Sequence, residues 1–181
     1  MTYNMKKLAF LIGLFISTSS FAQHHFQITE AAQLIWQKVY ESPANATQYH
    51  EMLFNSGKFS DIAELNGKIT CWLNEAPIDY KQAGYDIGQV SMFVRDGNFK
   101  CFATIQFKEC KYRVTLEQIQ IIQRYDTTLS KKGEITYLDR YAINRKGTFN
   151  KMVENNSLVV LDALFKSMFE YKQATHLNDE W

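Results

Sequence analysis

Gln23, His24 and His25 are the first residues whose types and spacing could do chemistry. A chain cut before Gln23 would present a free amine, two backbone amides and, in third place, the imidazole of His25. Those four nitrogens form a square-planar set for Cu(II) or Ni(II). Cyclisation of an amino-terminal glutamine removes the amine, and such ends are usually disordered, so His25 is a weak metal candidate. Glu75 and Asp79 flank Pro77 and could form an acid/base pair of the kind that cleaves glycosidic bonds. Loops also carry acids simply for solubility. His50 and His176 stand near no serine or cysteine nucleophile motif, and neither G-x-S-x-G nor H-E-x-x-H occurs. Phosphate-cradling glycine loops and calcium-loop spacings are missing too. No catalytic residue is assigned, no cofactor is expected, and the chain reads as a non-enzyme.

Cys71, Cys101 and Cys110 complete the reactive inventory. Three thiols allow at most one disulfide within the chain, and their spacing fits neither a zinc knuckle nor a C-x-x-C pair. Small apolar residues packed in a sheet is the simpler reading. Whether Cys71 pairs with Cys101 stays open.

Residues 1–22 have the form of a cleaved secretory signal. Lys6 and Lys7 open it, residues 8–16 are its apolar run, and Ser20-Phe21-Ala22 its small-x-small cleavage site. The run is shorter than the roughly 20 residues that cross a bilayer, so the protein is not expected to span the membrane. With no cysteine at the cleavage point, a lipid anchor is not expected either. The expected location is periplasmic or secreted. Cleavage would remove two of the 20 basic residues and none of the 19 acidic ones, leaving a net charge of −1. That balance excludes a phosphate-tracking surface, so no nucleic-acid partner is expected. The expected plan is a flexible mature start at 23–33, a single domain at 34–173 and a tail at 174–181. A domain of that size buries a core without disulfide staples.

Alternation supplies the elements that must position these groups. Asp96-Gly97 reads as a type I′ hairpin turn, pairing Val94 with Phe99, Met92 with Cys101 and Val90 with Ala103. A second reversal at Glu109-Cys110 pairs Phe107 with Tyr112, Ile105 with Val114 and Ala103 with Leu116, keeping one face apolar across three strands. Cys101 then stands opposite Gln118, far from Cys110, which disfavours a bridge between those two. Asn66-Gly67 marks another hairpin, with Leu65 opposite Lys68 and Ile62 opposite Cys71. Which face of Ile69-Thr70-Cys71-Trp72-Leu73-Asn74 is buried stays open. Ser42-Pro43 reads as the start of a helix carrying Ala46, Tyr49 and Leu53 and closed by Gly57. Asn156 or Ser157 would cap a last helix striped with Leu158, Leu161, Leu164, Phe165, Met168 and Phe169. A strand is expected at 34–40 and another near 135–138. Together these give an α+β fold: strand, helix, antiparallel strands and a closing helix, with helices packed on one face of a curved sheet.

Aromatic residues make up 14% of the chain, enough to fill a core and also line a groove. A groove between sheet and closing helix, walled by Val90, Met92, Phe99, Ile105, Val114, Leu161 and Phe165, would hold a small apolar, lipid-like molecule. Ordinary core packing accounts for the same residues. Asn45-Ala46-Thr47 and Asn155-Asn156-Ser157 have the N-glycosylation pattern, and Asp126-Thr127-Thr128 matches the O-glycosylation motif of Bacteroidetes.

Ile35-Trp36-Gln37-Lys38-Val39-Tyr40, the helix at 44–55, and the 102–116 hairpin with Lys111-Tyr112-Arg113-Val114-Thr115 resemble a known family. It is a domain of unknown function with a TATA-binding-protein-like fold, common in secreted proteins of Bacteroidetes. The likeness covers most of 34–171. It implies a curved antiparallel sheet with helices on one side, and it brings no catalytic residues. The fold's name carries no expectation of DNA binding. The function expected is a secreted, non-enzymatic module that binds an envelope protein or surface component. A carrier of a small apolar ligand is the alternative and a loop-based hydrolase the third reading.

Overall fold

The computed structural model describes residues 24–82, 84–128 and 130–172, and the expected leader at 1–22 and tail at 174–181 lie outside them. In chain order the strands are β1 (Phe26–Ile28), β2 (Leu34–Glu41), β3 (Phe59–Leu65), β4 (Lys68–Pro77), β5 (Gly97–Lys108), β6 (Lys111–Gln123) and β7 (Ile135–Tyr137). Helix α1 (Ala46–Asn55) follows β2, α2 (Met92–Arg95) precedes β5, and α3 (Asp139–Ala142) follows β7. Helix α4 (Lys151–Val153) runs through a π turn (Glu154–Leu158) into α5 (Val159–Phe169). The strands form one open sheet of seven in the order β1-β2-β6-β5-β4-β3, with β7 also on β6, and each pairing is antiparallel. The fold class is therefore α+β, as the patterning predicts.

Turn chemistry explains most of the register. Asn66 and Gly67 take φ of 52° and 69°, as a type I′ turn demands, and Leu65 stands opposite Lys68. Glu109 turns the β5–β6 hairpin at φ 53°, so Phe107 faces Tyr112, Ile105 faces Val114 and Ala103 faces Leu116. Ile69, Cys71 and Leu73 are the fully buried set on β4, which settles the open choice of face. Three breaks interrupt the ladders: one lies on β4 between Leu73 and Ala76, and the other two each hold a residue of positive φ. Asp61, at φ 52°, lies in the break between Ser60 and Ala63, and Gln118, at φ 51°, in the break on β6 opposite Cys101.

Asp96-Gly97 is not a hairpin turn. Asp96 has φ −102° and closes α2, and Gly97 is the first residue of β5, so Val90, Met92 and Val94 form no strand. Gly97 is required for another reason: a Cβ there would lie 2.6 Å from both the Phe93 carbonyl oxygen and Ile121 Cγ2. The segment expected to be a flexible start carries β1, with Phe26 buried and paired to Trp36. Helix α1 begins later than Ser42-Pro43 implies. Asn45 accepts from the Gln48 amide while Gln48 Oε1 accepts from the Asn45 amide, a complete capping box. The last helix starts earlier, with Asn150 accepting from the Met152 amide. Ser157 is buried and meets Ser91 Oγ at 2.5 Å, so a residue that resembles a cap is a tertiary contact instead.

The core lies between the sheet and α1 and α5. Trp36, Phe59, Phe99, Ile105, Val114, Leu161, Phe165 and Phe169 share one buried cluster with Tyr49 and Leu53 of α1. Each such side chain removed from water contributes about 1.5–3 kcal/mol. Trp36 meets Phe165 edge-on at 5.8 Å, and Phe59 lies 5.3 Å from Phe169. At the end of α5 the Glu170 amide donates to the Lys166 carbonyl at 3.1 Å, and tyrosines add further donors. Tyr49 and Tyr112 donate to the Phe169 carbonyl at 2.7 and 3.0 Å, and Tyr40 donates to Lys166 at 3.2 Å.

Candidate functional site

The face of the sheet opposite the helices carries aligned side chains, and register places them in rows. Gln37, Thr115, Thr104 and Thr70 stand side by side on β2, β6, β5 and β4. One row along are Glu117, Phe102, Trp72 and Ser60, and on the other side Val39, Arg113, Gln106 and Lys68. None of these side chains is fully buried, whereas Trp36, Ile69, Cys71, Ala103, Ile105, Val114 and Leu116, which alternate with them, are. Trp72 meets Phe102 edge-on at 5.4 Å, with Lys100 Nζ 5.3 Å from the Trp72 ring centre. Gln37 Nε2 donates to Thr115 Oγ1 at 3.0 Å, and the Arg113 guanidinium donates to Gln106 Oε1. Among the described residues no helix covers these rows.

On the helical side the polar centre is Asp162, 2% exposed. It accepts from Trp36 Nε1 at 2.8 Å and from the His25 amide at 3.0 Å. His25 Nδ1 lies 2.9 Å away and Lys166 Nζ 2.6 Å. Burial works to raise this carboxyl, but the hydrogen bonds from Lys166, Trp36 and His25 together outweigh it and hold it below the usual carboxylate range. The chelate imagined for His25 needs its ring and amide nitrogens, and Asp162 engages both Nδ1 and the amide. His24 is buried between the Phe26 and Phe149 rings, 5.6 and 5.3 Å away, and its Nδ1 accepts from the Phe26 amide. No cluster of three metal-ligating side chains occurs among the described residues.

The groove residues part company. Val90, Phe99, Ile105, Val114, Leu161 and Phe165 lie in the core, packed against one another and their neighbours rather than walling an open groove. Met92, 49% exposed on α2, lines a cavity of about 300 Å3 at the far end of the sheet, beside the Phe93–Tyr141 stack. Glu75 accepts from Asn98 and Asp79 from the Gln82 amide, so each acid of the loop pair serves its own local bond. His50 lies on α1, and His176 is outside the described residues. Cys71 and Cys101 are buried free thiols on the core face, and burial pushes Cys71 up to about 12 and Cys101 higher still. Cys110 is exposed in the β5–β6 turn. Asn45 is spent on the α1 cap, and Thr127 Oγ1 lies 2.9 Å from Ser130 Oγ.

Asp162 and the outer rows are the features that sequence reasoning missed. An aspartate inside an otherwise apolar helical stripe, Val160-Leu161-Asp162 before Phe165, was the signal for the first. For the outer rows, Thr104, Gln106, Arg113, Thr115 and Glu117 could be placed on one face, but not the β2 and β4 residues that complete them.

No protein-family model and no curated protein matches this sequence. Two solved structures are similar. One is a TBP-like protein from Parabacteroides distasonis, at 13% identity and TM-score 0.47, covering 78% of this chain and 93% of that one. The other is a DUF4468 family protein from Bacteroides ovatus, at 15% identity and TM-score 0.47, covering 83% and 93%.

Proposed function

We propose that the chain is a non-enzymatic binding module, exported to the cell envelope by the 1–22 leader, and that its uncovered sheet face is the binding surface. The observation that carries this reading is the Gln37-Thr115-Thr104-Thr70 row beside the Phe102–Trp72 pair. Hydroxyl and amide groups at strand spacing, with aromatic edges beside them, suit a neutral, hydroxyl-rich polymer such as an envelope glycan. The charges nearby are of both signs, Arg113, Lys68 and Lys100 against Glu117 and Glu75, so the face favours neither a polyanion nor a polycation. The one adjoining apolar pair there, Trp72 and Phe102, is flanked in its row by Glu117 and Ser60, and so small an apolar patch disfavours a lipid surface.

The test is retention of the processed protein on insoluble envelope polysaccharides, compared with Trp72→Ala and Thr104→Lys variants that keep the wild-type circular dichroism. Saturable retention, weakened at least about tenfold by either change, supports the reading. Retention that both variants preserve, or a protein companion instead of a glycan, overturns the glycan assignment.

A further inference from the structure

At the end of the sheet away from the β5–β6 turn, α2, α3, β6 and β7 enclose a cavity of about 300 Å3. That volume lies at the lower end of small-molecule sites, about 300–1,000 Å3. One wall is apolar: Phe93 and Tyr141 stack at 4.4 Å with their planes 11° apart, and Met92 and Ile121 extend the surface. The remaining lining is polar and carries one charge of each sign, Arg140 and Glu134.

These two charges do not neutralise each other. Among the described residues the ion pairs are His24–Glu154, His25–Asp162, Arg95–Asp96, Lys111–Glu41 and Lys166–Asp162, so Arg140 and Glu134 are both left without one. Glu134 is held in place by the Lys131 amide, which donates to its Oε2 at 3.0 Å and leaves Oε1 available. The side chains of Gln123 and Thr136, also in the lining, make no hydrogen bond within the described residues. A lone anion would meet Arg140 but be repelled by Glu134, and a lone cation the reverse. A molecule that carries both charges satisfies the two groups together.

We propose that this cavity binds a zwitterion the size of an α-amino acid with an aromatic or large apolar side chain. Its carboxylate sits on the Arg140 guanidinium, which offers paired donors in a planar fork. Its ammonium faces Glu134 Oε1, and its side chain lies against Phe93, Tyr141 and Met92. Gln123 and Thr136 complete the polar contacts. The site is separate from the outer sheet face and does not depend on what that face binds.

The test is calorimetric titration of the full processed chain with three probes: L-phenylalanine, L-phenylalanine amide and 3-phenylpropionate. The free amino acid should bind saturably, and each one-charge analogue at least about tenfold more weakly. Arg140→Gln should abolish the preference over the amide, and Glu134→Gln the preference over phenylpropionate. Both residues are exposed, so the variants should fold, which circular dichroism checks. No saturation with L-phenylalanine up to about 1 mM, by heat or by ligand-observed NMR, overturns the assignment. Three probes that bind alike, or variants that keep both preferences, overturn it equally.

Discussion

Trp36 Nε1 donates to Asp162 Oδ1 at 2.8 Å, fastening the second strand of the sheet to its last helix across 126 residues of sequence. Both groups are buried, so neither has water to fall back on. Asp162→Ala should therefore destabilise the fold by about 1–3 kcal/mol, because it strands a buried indole donor, while the half-exposed Lys166 can turn to water. Urea denaturation measures this, and a loss below about 1 kcal/mol would mean that the cluster is solvated.

The same carboxyl makes stability depend on pH in the acid range. Its pKa in the folded state is depressed, so its contribution is complete above the ordinary aspartate value of about 3.9 and fades as pH falls through the folded value. Asp162→Asn should remove that part of the acid limb of a stability profile. An unchanged limb would contradict the assignment.

His24 governs a different window. Burial, the largest influence, pushes its pKa below the ordinary value of about 6.5, against the pull of Glu154 and Asp162. A depressed histidine stabilises the fold above that ordinary value and loses its contribution as pH falls. Protonation at Nδ1 also removes the acceptor of the Phe26 amide. The protection of the Phe26 amide from hydrogen exchange, taken relative to the intrinsic rate at each pH, should fall between about pH 7 and 5.5, and undiminished protection at the lower pH would refute the link.

Tyr49 and Tyr112 share the Phe169 carbonyl, so removing one hydroxyl leaves the other. Tyr49→Phe should cost about 1 kcal/mol, and the double change to phenylalanine clearly more than the sum of the single ones. A double-mutant cycle in denaturant reads the coupling, and strict additivity would show the caps to be independent.

Gly97→Ala tests why that glycine is there. Its new Cβ would press on the Phe93 carbonyl and Ile121, so a loss of about 1–3 kcal/mol is expected despite the ordinary backbone. Neutral or improved melting would show that α2 yields freely.

The hairpins at Asn66-Gly67 and Glu109-Cys110 were legible because turn residues and alternation agreed there. Asp96-Gly97 misled because Gly97 serves a close approach, and composition does not separate that from a need for positive φ. Ser42 and Ser157 misled in the same way: a serine before an apolar stretch reads as a cap, but Ser42 Oγ accepts from Ala44 in a turn and Ser157 pairs with Ser91. Six of the seven proposed groove residues are buried. Inward-facing does not tell a packed core from a lined space, since that depends on how closely α5 approaches the sheet. The outer rows needed β2 beside β6 and β4 beside β5, pairings set by topology rather than by any local turn.

The bulge at Asp61 has a bearing on how copies of this chain live together. β3 is an outermost strand, and its unpaired side would invite another chain's backbone to continue the sheet. With Asp61 turned to φ 52° and Glu64 exposed one residue before the strand ends, that border is crooked and charged where an incoming strand would need a straight ladder. Crowded molecules are thereby discouraged from polymerising edge to edge.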